Sequence, residues 1–183
     1  LDSQLTAALT LCIGSFYLAY DTPDWRRRTA WLAAAGLFAG AAFLLKGFLA
    51  FAVPAVTVAP FLLWRREWKK LFAYPWLPLV LAVAVAAPWA WAIWHAEPDF
   101  WRYFFIEEHW KRFTSSTYDR DPQPFWYFIP ILLGGMMPSG LLALAAWKGW
   151  ARTLLRRPLI QYMLCWAVMP FLFFSVSSCK MGT

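Results

Sequence analysis

LPLVLAVAVAAPWAWAIW, residues 77–94, runs for 18 residues without a charged side chain. At helical rise such a run covers most of a bilayer's hydrocarbon core, which takes roughly 20 residues to cross. It is apolar on every side, with no polar face of helical period to meet water, so packing against a soluble core does not account for it. A barrel strand would instead alternate over about ten residues. The stretch reads as a membrane-spanning helix.

Just beyond it the character changes. EPDFWRYFFIEEHWKRFTSSTYDRDPQPFWYF, residues 97–128, gathers charges, histidine and many aromatics in a chain that is 61% hydrophobic and only 15% charged over 183 residues. Soluble proteins carry about a quarter charged residues. The segment is too polar for a bilayer core and too aromatic for an idle loop, and it suits the membrane surface, where amphipathic rings belong. A second long apolar run follows at 125–147.

Extending this reading gives an all-α, polytopic transmembrane helical bundle of about six spans, at 3–20, 30–45, 48–63, 72–94, 125–147 and 159–177. The second and third cannot be one helix: 34 residues would reach about 50 Å, well past the core thickness. Lys46-Gly47 is the expected turn between them. Gly36 and Gly40 form a GxxxG pattern suited to close helix packing. Pro54, Pro60, Pro75, Pro78 and Pro88 punctuate the middle spans, where neighbouring helices can satisfy the carbonyls they free.

Alternate connections differ in charge. Those at 21–29, 64–71 and 148–158 hold 11 of the 17 Lys and Arg residues, and the opposite set holds 6. The positive-inside rule places the first set in the cytoplasm and the other set on the outer face. Most carboxylates, Asp2, Glu97, Asp99, Glu107, Glu108, Asp119 and Asp121, then lie outside, so the chemistry is expected there. The net charge of +7 is spread over span ends, which fits orientation and excludes nucleic acid as a partner.

The three cysteines make no disulfide framework and no metal spacing. Phosphate-loop glycines, GxSxG and HExxH are absent from the sequence, which leaves a nucleotide hydrolase or serine hydrolase without support. The chain opens LDSQLTAALT, with neither a starting Met nor a basic leader. The expectation is therefore that 1–183 form an internal part of one transmembrane domain, with 96–124 an outer-face loop carrying an interfacial amphipathic segment, a loop that is periplasmic if the resemblance given below holds.

Individual residues admit two readings each. Asp2 opens the first span and serves either as a helix cap or as a base or ligand at the mouth of a bundle cavity. Lys46 either extends to lipid headgroups or binds phosphate as a compact cation. Glu108 and Arg112 are i,i+4 neighbours if 107–113 is helical, and belong either to a solvated stripe or, with His109, to a metal and phosphate site. Lys180 either anchors a helix end or adds a phosphate contact.

Four strings narrow these choices. LLKGFLAFAVP at 44–54, EPDFWRYFFIEEHWKRF at 97–113, PFWYFIPILLGG at 124–135 and PFLFFSVSSCK at 170–180 resemble, in order, the ArnT-like branch of the membrane glycosyltransferases with the protein-mannosyltransferase (GT-C) fold. Leu1-Asp2-Ser3 is similar to the family's Leu-Asp-Pro or Leu-Asp-Ser segment. The resemblance implies transfer of 4-amino-4-deoxy-L-arabinose, or a similar sugar, from undecaprenyl phosphate to lipid A or another acceptor at the periplasmic face. It implies a catalytic role for Asp2, donor-phosphate contacts for Lys46, Arg112 and Lys180, and a divalent metal ion at Glu108 and His109.

The chain also departs from the family's pattern. The acidic pair of the family's first outer loop has no counterpart in these residues and is expected upstream. Ser178-Cys179-Lys180-Met181-Gly182-Thr183 replaces the more usual Lys-Leu-Pro-Thr ending. A transporter or lipid flippase is the alternative, since Pro-interrupted helices and an ionisable mouth suit a substrate path; that reading expects functional ions near midplane. A noncatalytic assembly subunit is a third.

Overall fold

The structure, a computed structural model, describes residues 2–97, 99–104, 106, 127–135, 140 and 155–176. As expected, the chain folds as an all-α transmembrane bundle, with no strand among the described residues. It divides into two compact units, Leu1–Trp101 and Arg102–Thr183. The first contains α1 (Asp2–Asp21), α2 (Trp25–Lys46), α3 (Leu49–Trp64), α4 (Trp68–Ala73) and α5 (Trp76–Ala96). The short α6 (Phe100–Arg102) runs across the division. α7 (Phe128–Gly135) and α8 (Pro158–Val176) belong to the second unit.

Each helix boundary has a local cause. Asp24 caps α2 by accepting from the Arg27 amide at 3.0 Å, which starts the helix five residues before the apolar run at 30 and draws Arg26, Arg27 and Arg28 into its first turn. Gly47, at φ 66°, ends it with its amide on the Phe43 carbonyl at 2.8 Å, a backbone conformation that glycine adopts without strain. The expected Lys46-Gly47 turn is therefore present. α3 contains Pro54 and Pro60, and the fully buried Thr57 between them donates to the Val53 carbonyl at 2.8 Å.

One expected span is not a single helix. The run at 72–94 joins two elements: α4 ends at Ala73, and α5 starts at Trp76 after Tyr74 and Pro75. Pro75 lacks the amide that would continue α4, and its fixed φ suits the entry to a new helix. By length and apolar character three stretches suffice to cross a membrane among the described residues: Trp25–Lys46, Trp68–Ala96 and Pro158–Ser175. α3, with 16 residues, is shorter. The expected span at 125–147 lies mostly outside the described residues, with α7 its largest described piece.

In the first unit α2 is the shared partner, packing against α1, α3 and α5. Gly36 and Gly40 make the α5 contact possible. A Cβ on Gly36 would stand 2.6 Å from the Pro78 carbonyl oxygen and 2.8 Å from its Cα, and one on Gly40 would stand 2.7 Å from Val85 Cβ. The GxxxG reading thus acquires a definite partner, the backbone of α5. α3 lies against α1 and α2, and between α3 and α5 runs an apolar furrow of about 250 Å³, with Ala39 and Cys12 among its lining residues.

At the Tyr20 end of α1 a polar cluster joins α1, α3 and α4. Tyr20 Oη donates to Glu67 Oε1 at 2.6 Å, Lys70 Nζ pairs with Glu67 Oε2 at 2.6 Å, and Arg65 Nε donates to Tyr20 Oη at 3.3 Å. Lys70 Nζ also sits 4.2 Å from the Tyr20 ring centroid, a cation–π contact. Partial burial raises the Glu67 pKa, but the bonds from Lys70 and Tyr20 outweigh it and hold the carboxyl below its ordinary range. Arg66, at φ 57°, makes the sharp elbow between α3 and α4.

The glycine contact gives a direct test. Gly36→Ala in the full-length protein is expected to lose about 1–3 kcal/mol through overpacking against Pro78. Gly14→Ala, where an added methyl meets nothing within 4 Å, serves as the control and should be neutral or stabilising. Thermal unfolding in detergent compares them; equal melting temperatures would mean that α2 and α5 do not meet at Gly36.

Candidate functional site

At the opposite end of the bundle from Tyr20, two residues 44 positions apart meet. Asp2 begins α1, Lys46 ends α2, and Lys46 Nζ donates to Asp2 Oδ1 at 2.6 Å. Antiparallel packing of α1 and α2 brings them together, and the Gly47 turn fixes where Lys46 stands. Both side chains remain accessible, Asp2 at 83% and Lys46 at 46% of full exposure. An ion pair this exposed adds little to stability. Its interest is chemical: a preplaced cation and carboxylate stand exposed at one end of the bundle.

This geometry corrects the cap reading of Asp2. Among the described residues the partner of its carboxylate is Lys46, not an amide of α1. The Lys46 hydrogen bond, reinforced by its charge, holds the Asp2 pKa below the ordinary carboxylate value. With the folded value depressed, the pair's contribution is present above the unfolded value and lost as pH falls through the folded one.

The end of α5 adds aromatic surface to the first unit. Trp91 and His95 make an edge contact at 4.8 Å, and Trp89 meets Phe100 at 5.6 Å and Trp101 at 6.1 Å. The chain therefore turns back after Ala96, so that Phe100 and Trp101 lie against α5. Glu108, His109, Arg112 and Lys180 lie outside the described residues. Of the expected site residues, the structure brings together Asp2 and Lys46.

The divalent metal expected at Glu108 and His109 falls on residues outside those described. The Tyr20–Glu67–Lys70 cluster was not anticipated from the sequence. Glu67 and Lys70 are three apart and their pairing was legible; Tyr20 is 47 residues from Glu67 and no local pattern joins them.

A family model for dolichyl-phosphate-mannose-protein mannosyltransferases matches residues 1–104, more than half of the chain and including both Asp2 and Lys46. The chain belongs to this family. Over its whole length it is 40% identical to a protein of Shewanella sediminis named undecaprenyl phosphate-alpha-4-amino-4-deoxy-L-arabinose arabinosyl transferase. It is equally similar to a Yersinia pestis protein of the same name. The chain spans about a third of these relatives, 33% of their length.

Solved structures agree. The chain superimposes on a crystal structure of ArnT from Cupriavidus metallidurans bound to undecaprenyl phosphate with a TM-score of 0.81 and 27% identity, covering 97% of this chain and 32% of that one. For the same protein in its apo state the TM-score is 0.72 at 26% identity, with 97% and 31% covered. The family resemblance read from the sequence motifs is thereby established, and with it a multi-pass membrane protein of this fold.

The ion pair predicts a titration. In the full-length protein with labelled aspartate, carbonyl-carbon NMR should find the Asp2 carboxyl ionised to lower pH than an ordinary aspartate, as its hydrogen bond from Lys46 requires. Lys46→Met should move its midpoint upward. An unchanged midpoint would show that the two residues are not paired.

Proposed function

We propose that the protein is a membrane glycosyltransferase that moves a sugar of the 4-amino-4-deoxy-L-arabinose type from a polyprenyl phosphate donor to lipid A or another periplasmic acceptor. The observation carrying this reading is the exposed 2.6 Å pair of Lys46 and Asp2 at one end of the bundle. The likeness to arabinosyl transferases along the whole chain supports it. The protein works in a bacterial inner membrane, with Asp2 and Lys46 on the periplasmic side, opposite the cation-rich connections.

The reaction breaks the bond between the anomeric carbon and a phosphate oxygen. The electron pair leaves on the phosphate, and a cation placed beforehand stabilises the charge that grows there. Lys46 supplies that cation: its ammonium is a compact charge with three donors, of which the Asp2 contact uses one. An acceptor oxygen attacks from the opposite side. If it is a hydroxyl, its proton passes to a carboxylate; a phosphate acceptor is already ionised.

Asp2 serves Lys46 first. Its depressed pKa makes it a poor base while the pair is intact, so its resting role is to hold the ammonium in place. Donor phosphate competes for Lys46, and a carboxylate relieved of that partner becomes more basic. Glu108, His109, Arg112 and Lys180 complete the proposed site from outside the described residues, the first two as the metal-binding pair.

A flippase reading expects ionisable groups at the midplane. The described ion pairs, Asp2–Lys46 and Glu67–Lys70, lie at helix ends instead. In the purified full-length protein, Lys46→Ala is expected to lower kcat/KM for donor-lipid consumption by about 10²-fold, the scale of losing one charge-stabilising donor. Asp2→Ala should also abolish most transfer, while both variants still insert in the membrane. Normal turnover by both would remove the assignment.

A further inference from the structure

The furrow between α3 and α5 is apolar along its length, and its two ends differ in charge. It follows α3 from Ala50 to Leu62, with Pro54 and Val58 between them. At helical rise that is about 18 Å, slightly more than half of the roughly 30 Å hydrocarbon core. Leu71 of α4 and Pro75 contribute to the lining at the Leu62 end. Its depth is that of one leaflet's chains.

Beyond Leu62 stands the elbow Arg65-Arg66-Glu67-Trp68-Lys69-Lys70, four cations against one carboxylate. Glu67 is committed to Tyr20 and Lys70, and Arg65 donates to Tyr20. The side chains of Arg66 and Lys69 are exposed and make no hydrogen bond or ion pair among the described residues. Trp68 and Phe72, one helical turn apart on α4, are 57% and 70% exposed, as rings at a headgroup boundary are. At the other end of α3, beyond Gly47, the single cation Lys46 is paired with Asp2 and belongs to the proposed donor site. The cations at the elbow that lie outside its ion pairs therefore suit it as the seat of a second anionic headgroup.

We propose that this furrow and elbow hold one anionic glycerophospholipid from the leaflet on the Arg65 side. Its phosphate sits at Arg66 and Lys69, and an acyl chain lies between α3 and α5. This site is separate from the Asp2–Lys46 pair, so it binds a lipid that is not consumed. The bound lipid fixes the depth of the α3–α4 elbow in the membrane and fills the gap between two helices that both pack on α2.

The test is photolabelling of the full-length protein in nanodiscs of phosphatidylglycerol and phosphatidylcholine, one lipid at a time carrying a diazirine in its chain. Phosphatidylglycerol should label α3 and α5 at furrow residues about tenfold more than phosphatidylcholine, as expected where basic side chains recognise an acidic lipid. Arg66→Glu with Lys69→Glu should erase that preference. Ala59→Phe, which narrows the furrow while leaving the cations, should reduce labelling by both lipids. Equal labelling by the two lipids, labels away from the furrow, or no label because another helix fills it would overturn the proposal. Displacement of the label by a polyprenyl phosphate would overturn it as well, assigning the furrow to the donor.

Discussion

The close approach of α2 to α5 is the constraint on which the rest of the first unit depends. In hydrocarbon there is no water to drive apolar helices together, so association rests on the fit of their surfaces. Gly36 and Gly40 let the α2 backbone come within reach of Pro78 and Val85, where a single methyl group would not fit. Because α2 also packs on α1 and α3, its position sets theirs. Lys46 stands at the end of this shared helix, and its place beside Asp2 follows from the packing below it.

The described ion pairs of the first unit lie at its two ends and differ in character. The Asp2–Lys46 pair is accessible and, among the described residues, simple, one cation with one carboxylate. The Tyr20–Glu67–Lys70–Arg65 cluster is half-buried and joins three helices. Accessibility makes the first available to a charged substrate, since a ligand replaces one exposed partner at little cost. Mutual satisfaction makes the second a structural clamp. Leaving Arg66 and Lys69 outside the clamp keeps charge free at the elbow.

Much of the architecture was legible from periodicity and length. Apolar runs located the helices at 3–20, 30–45, 48–63 and 159–177, and the bilayer's thickness required the turn at Lys46-Gly47. The span at 72–94 lies within the stretch Trp68–Ala96, but hydropathy averages across its break at Tyr74-Pro75: Leu71, Phe72 and Ala73 are as apolar as the residues that follow. Charge at α2's start was misread similarly, since Arg26, Arg27 and Arg28 look like loop residues until Asp24 caps the helix ahead of them. The motifs, by contrast, carried the family correctly.

The sequence alone determined that the chain spans a membrane as helices, which family it resembles, and which residues carry reactive groups. These properties are local, written in runs of about twenty residues or in short strings. Only the tertiary structure decided that Asp2 faces Lys46 rather than capping its own helix, that Gly36 answers Pro78, and that Tyr20 reaches Glu67. Each of these joins residues more than 40 positions apart. The side-chain pattern of one helix states which face is small or charged, but the partner that meets that face is fixed by how the helices stack.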